Sequence, residues 1–384
     1  MTPKTGLKTR FGLLALALAL PGTAATGAAE VKLALILART GIGADENLPA
    51  EKTARMAVAE LNGSGGLLGR PVRLLLVDNA GTPLGSKKAA ETAVGQGVIG
   101  VIGAFRSSHC LAMIQVIRDA RIPMITPSAT NPQITLGSEF IFRACFTDTF
   151  QGQALARFAR RDLGSASAMV LVNTNENYSI GLAQDFTASF DAQGGRLLGR
   201  GEYQGNAVDF SAILASLKQL RPDVVFLPGY PRDSGLLISQ AVNAGVRSVF
   251  LGGDAWDVGL GVGQYAGPAL EGAYHSTQWY AESPNARNRS LRAQFKRAYG
   301  ADGFTSMQIP LTYDSIMLFA DAVRRANSLE PLKITQALQR TRGFRGASGT
   351  ITFDPNRNPL GKDVIIRKYE GAAWRYFKSI SPER

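Results

Sequence analysis

Nucleophiles and metal ligands are scarce in this chain. Its 384 residues include two cysteines, Cys110 and Cys145, and two histidines, His109 and His275. With no Cys-x-x-Cys, that is too few for a zinc cluster. No G-x-S-x-G elbow occurs, and the two histidines fall in different predicted elements with no evident Ser or Cys partner. His109 and Cys110 are neighbours on a predicted helix, where adjacent side chains diverge. G-x-x-x-x-G-K-[ST] is missing, and GLGVG at 259–263 shares only its glycines with a dinucleotide loop. No enzyme, cofactor or metal is expected. The cysteines leave two arrangements open, a Cys110–Cys145 disulfide in an oxidising compartment or two separate buried thiols.

Acidic residues are outnumbered, 30 Asp and Glu against 42 Lys and Arg, giving a net charge of +12. The cations are scattered, and no basic run with interleaved aromatics occurs, so nucleic acid is not an expected partner. Long apolar runs are also missing after the N-terminus. Residues 11–20, FGLLALALAL, follow Lys4, Lys8 and Arg10 and precede Pro21 and a run of small residues. That core is too short to span a bilayer and has the layout of a cleaved export signal over 1–29, cut near Ala29. Without a Cys after it, no lipid anchor is expected. The mature chain is read as exported to the periplasm.

What the sequence does have is a rhythm. Apolar runs at 31–37, 72–77, 98–102 and 124–126 read as strands buried on both faces, separated by helical patterns at 50–61, from Pro83 (capped by Thr82) and at 109–120. The alternation restarts after Cys145. Helices are predicted at 150–163, 180–192, 210–220 and 234–244, and strands at 169–172, 196–203, 224–227 and 248–251. Two such series imply an α/β protein with two doubly wound parallel-sheet lobes. The last third holds helices near 290–299, 312–326 and 333–341, then strand-like pieces at 349–353, 364–368 and 373–377. A tail that returns to both lobes makes several crossings between them, and several crossings make a hinge.

Five loops follow predicted strands at their carboxyl ends, where ligands sit in open α/β sheets. They are AFRSS (104–108), SATNP (128–132), NTNENYS (173–179), PGYPRD (228–233) and GGDAWD (252–257). Hydroxyls and helix-start amides suit a carboxylate. Asp254 suits an ammonium, and Tyr178, Tyr230 and Trp256 suit an apolar remainder.

At these loops, and at AELNGSGGLLGRPVRLLLVDNAG, FRACFTDTFQG and GTITFDPNRNP, the sequence resembles the periplasmic branched-chain amino-acid-binding proteins of ABC importers. The resemblance implies the type I bilobal fold with a three-segment hinge. The first lobe is expected over 30–145 plus 279–352 and the second over 146–278 plus 353–384. It implies that Ser107 holds a ligand carboxylate and that Ser128, Ala129 and Thr130 bond carboxylate and ammonium. It further implies that Tyr178 and Tyr230 close from the other lobe and that Asp254 meets the ammonium. The implied protein is a monomeric receptor that delivers an amino acid, branched-chain or related, to an inner-membrane permease. The alternative is a sensing module on the same fold, taking an amide, an aromatic carboxylate or a polar amino acid and reporting to a regulatory partner. Glu46 aligns with a tyrosine of the leucine binders, and Phe105 and Arg106 are larger than usual there; with Trp256 these are the candidate specificity residues. An Arg106 in the cleft would imply a polar or acidic ligand side chain, and an Arg106 in solvent an aliphatic one. Since arginine is usually at the surface, the aliphatic reading is expected.

Overall fold

The computed structural model describes residues 1–3, 29–300 and 303–382. The expected export signal lies, apart from its ends, outside the described residues. Among the described residues no helix is long and apolar enough to cross a membrane.

The first sheet is parallel throughout. It contains β1 (Val31–Leu37), β2 (Val72–Asp78), β3 (Val101–Gly103), β4 (Met124–Thr126) and β5 (Ile141–Arg143), in the order β2-β1-β3-β4-β5. Its central strands are apolar on both faces because helices cover both sides. Thr82 caps the helix Pro83–Gly95 by accepting from the Gly85 amide, as its sequence suggests.

The second sheet begins with five parallel strands, β6 (Ser167–Asn173), β7 (Arg196–Tyr203), β8 (Val224–Leu227), β9 (Val249–Gly252) and β10 (Tyr274–Thr277). After a small hairpin of β11 (Phe344–Gly346) and β12 (Gly349–Ile351), the chain adds β13 (Val364–Glu370) and β14 (Ala373–Ile380). These two pair antiparallel at one edge and give the order β14-β13-β10-β9-β8-β6-β7. An antiparallel edge on a parallel sheet is common, since a hairpin needs no crossover helix.

The chain passes between the two sheets three times, after β5, after β10 and between β12 and β13. Between the second and third passages, the helix Gln308–Ala326 packs on the helix Leu48–Gly63 and against β3 and β4. It is buried along most of its length, and its buried residues include the polar Gln308, Thr312, Asp314 and Ser315 beside the apolar ones.

β5 and β10 were not predicted. Each is three or four residues long, and neither sequence, IFR or YHST, carries a periodic signal. Helix starts were predicted two to three residues late at Ser107, Asn177 and Pro231. The two thiols are free and buried. Cys110 donates to the Ala104 carbonyl and Cys145 to that of Ala129, so the disulfide alternative is not what forms. Burial pushes both thiols up to about 12, which removes the thiolate needed for reactivity. His109 and His275 are buried as well, beside Asn79 and Trp374 respectively.

Candidate ligand-binding site

Strand order reverses once in each sheet, between β1 and β3 and between β6 and β8. Loops diverge at such points and leave a crevice. Glu46 and Arg106 come from the loops after β1 and β3, and Glu176 and Tyr230 from those after β6 and β8. The four meet between the lobes. The Arg106 guanidinium donates to both oxygens of Glu46 at 2.9 and 2.8 Å and to Glu176 at 2.8 Å. It lies 3.6 Å from the centre of the Tyr230 ring. Arg106 is 8% exposed, so it faces the cleft, and the expectation that it points into solvent is corrected. Its backbone starts the helix Ser107–Ala120 at the lobe boundary, and two carboxylates there replace the water a surface arginine would have. Burial works against its charge, but Glu46, Tyr230 and Glu176 outweigh it and hold the proton tightly. Burial also raises Glu46 above the usual carboxylate range, with Arg106 opposing.

On the first lobe, Ser107, Ser128, Ala129 and Thr130 are buried beside one another. Arg106, the residue before the helix, supplies no side-chain cap, so the first amides of that helix have no intrahelical partner. The Ser107 hydroxyl accepts from the Asn131 amide at 3.3 Å, and Ser128 donates to the Phe105 carbonyl at 3.1 Å. These bonds tie the two loops together. Arg143 at the end of β5 holds the second loop from beneath, donating to the carbonyls of Ala129 and Asn131 at 3.0 and 2.7 Å. The Thr130 hydroxyl is buried without a partner.

On the second lobe, Tyr178 donates to Asp254 at 3.0 Å and accepts from the Ala255 amide. Its ring lies 5.6 Å from that of Tyr230. Asp254 is 1% exposed. Its other oxygen accepts from Gln278 at 3.0 Å, and its amide donates to Gln151 at 2.8 Å. Burial raises its carboxyl to about 6, with Gln278 and Tyr178 opposing the rise. Asp148, buried nearby, has one oxygen without a partner, and burial pushes it well above the usual carboxylate range, with Asp254 adding to the rise.

The structure therefore brings together Ser107, Ser128, Ala129, Thr130, Tyr178, Tyr230 and Asp254, with Glu46 and Arg106 at one end. It does not bring Trp256, which is 0% exposed and packs in the second lobe's core beside Gly252 and Trp374. Phe105 likewise lies in the core and offers the site only its carbonyl. Glu176, Asp148 and Gln278 were not singled out from sequence. Asp148 lies inside the FRACFTDTFQG segment, as an acid in the first turn of a Thr-capped helix, and Glu176 lies inside the NTNENYS loop without having been picked out of it; nothing in the sequence marks Gln278. Among the described residues no group of three His, Cys, Asp or Glu could hold a metal ion.

Two parallel-rich sheets, joined by three passages and lining a crevice with hydroxyls and a buried acid, define a two-lobed small-molecule binding protein. The chain belongs to the periplasmic binding protein family, whose model matches residues 30–373, and its fold is the type I form. It is 29% identical over 375 residues to "Leu/Ile/Val-binding protein homolog 1" of Brucella melitensis, covering 96% of this chain and 98% of the relative. It is 28% identical over 372 residues to the "Leucine-, isoleucine-, valine-, threonine-, and alanine-binding protein" of Pseudomonas aeruginosa, covering 95% and 97%. Among solved structures it is similar to the leucine binding protein LivK of Thermotoga maritima, with a TM-score of 0.86 and 31% identity over 92% of this chain and 99% of that one. The relatives are named for what they bind, and the family is one of receptors, not enzymes.

Proposed function

We propose that this chain is a periplasmic receptor of an ABC importer that closes its lobes around one small amino acid, branched-chain or related, and hands it to a membrane permease. The lobes are taken as 30–145 with 279–352 and 146–278 with 353–384, moving about the three passages. What supports this reading is an uncapped helix start at Ser107 on one lobe and a buried, hydrogen-bonded Asp254–Tyr178 pair on the other. The first suits an α-carboxylate and the second an α-ammonium, at opposite ends of a zwitterion. Tyr178 and Tyr230, with ring centres 5.6 Å apart, are the rings available to an apolar remainder. The Thr130 hydroxyl and one Asp148 oxygen are buried nearby, and an ammonium brings three donors.

The test is thermal melting of ligand-stripped protein against all proteinogenic amino acids. Stabilisation grows as RT ln(1 + [L]/Kd), about 2.7 kcal/mol at a hundredfold excess over Kd. One amino acid, or a few alike in shape, is expected to raise the melting temperature by several degrees. No shift with any of them would overturn the amino-acid assignment.

A further inference from the structure

The end of the crevice that would meet a ligand side chain is built from charge. With the α-carboxylate at Ser107 and the α-ammonium at Asp254, the side chain runs past Tyr178 and Tyr230 toward Arg106. There the guanidinium already covers one face of the Tyr230 ring at 3.6 Å, so that face offers no bare aromatic surface. Glu46 and Glu176 grip Arg106 from opposite lobes, and Ser108 donates to the second oxygen of Glu176. Beyond them a pocket of about 540 Å³ opens at the mouth of the crevice. Arg106, Glu46, Glu176, Tyr230, Arg232 and Asp233 are among its walls.

Resting on the receptor reading above, we propose that Arg106, fixed between Glu46 and Glu176, is the specificity-determining residue and selects amino acids whose side chains end in a neutral hydrogen-bonding group, an amide or a hydroxyl. The carboxylates engage Nη1 and Nη2 of the guanidinium and leave Nε to donate. The carboxylates keep spare lone pairs, so the wall both donates and accepts. An aliphatic end would strip water from these charges and return no hydrogen bond. An acidic end would add a third carboxylate to two that share a single guanidinium, and like charges in a dry site repel. The same bridge ties the two lobes together at this end of the crevice.

The experiment is calorimetric titration of the stripped wild-type protein with asparagine, glutamine, serine, threonine, leucine, isoleucine, valine, aspartate and glutamate. At least one amide or hydroxyl amino acid is expected to bind tenfold or more tightly than any branched-chain or acidic one. The combined variant Arg106→Leu, Glu46→Gln, Glu176→Gln should reduce that preference at least tenfold. Should it not fold, Arg106→Lys keeps the charge, loses the planar fork, and should weaken the favoured ligand tenfold. A branched-chain or acidic amino acid binding tightest to the wild type would overturn the inference and leave the receptor reading standing. Selectivity unchanged in the variants would overturn it too. No binding by any of the nine, with no melting shift across the full amino-acid set, would overturn the receptor reading itself.

Discussion

Asp254 and Asp257 lie three residues apart in one short helical turn, yet they serve different neighbours. Asp254 faces the crevice. Asp257 accepts from Thr277 at 2.6 Å and lies 3.6 Å from Arg367. Burial raises the first to about 6 and the second to about 7. A carboxyl in the unfolded chain titrates near 4, so the folded protein binds these two protons more tightly than the unfolded chain does. Their contribution to stability is therefore full at low pH and falls as pH rises from about 4 to about 7. Asp257→Asn removes one of the two without touching the crevice. Relative to wild type, it should gain stability across that window, on the order of 2 kcal/mol, read from melting of both proteins at pH 4.5 and pH 7.5. A constant difference between them would contradict the assignment.

At the scale of elements, the site is set by where strands stop. β9 ends at Gly252, and a Cβ on the next residue, Gly253, would lie 2.1 Å from the Tyr178 hydroxyl oxygen and 2.8 Å from Leu182. Gly253→Ala should push Tyr178 off Asp254 and weaken ligand at least tenfold, at a stability cost of about 1–3 kcal/mol; titration beside a melting curve separates the two effects. The passages are wired to the same point. Gln278, just after β10, accepts from the Phe146 amide on the first passage and donates to Asp254. These elements were only partly legible in the sequence. Strands made of an unbroken apolar run, the seven residues of β1 and the four of β8, were read correctly, because burial on both faces leaves such a run. The first turns SSHC, NYSI and PRDS were missed as helix for the reason they matter. They face the crevice, are polar, and break the apolar periodicity on which a helix is recognised. The loops carrying Ser107, Ser128, Tyr178, Tyr230 and Asp254 were found from strand ends and from the family resemblance. Arg106 was misplaced because its partners, Glu46 and Glu176, lie 60 and 70 positions away in sequence, a distance at which pattern reading has no purchase.

At the scale of the whole molecule, the two lobes are in contact across the crevice. Arg106 bridges to Glu176, Asn131 donates to the Asn177 carbonyl at 3.4 Å, and Tyr265 donates to Asp45 at 3.2 Å. Such closure about three passages lets a small ligand be enclosed by groups from both lobes. It also concentrates recognition in a few desolvated polar contacts, where losing one partner is expensive. Amine recognition at Asp254 is thus the point on which the account rests. The measurement that bears on it most directly is calorimetric titration of stripped wild-type protein and its Asp254→Ala variant with the favoured amino acid and its deaminated analogue. Wild type should prefer the amino acid at least a hundredfold, and the variant should lose most of that preference. Equal affinity of the wild type for the two ligands, or a preference that survives in the variant, would contradict it.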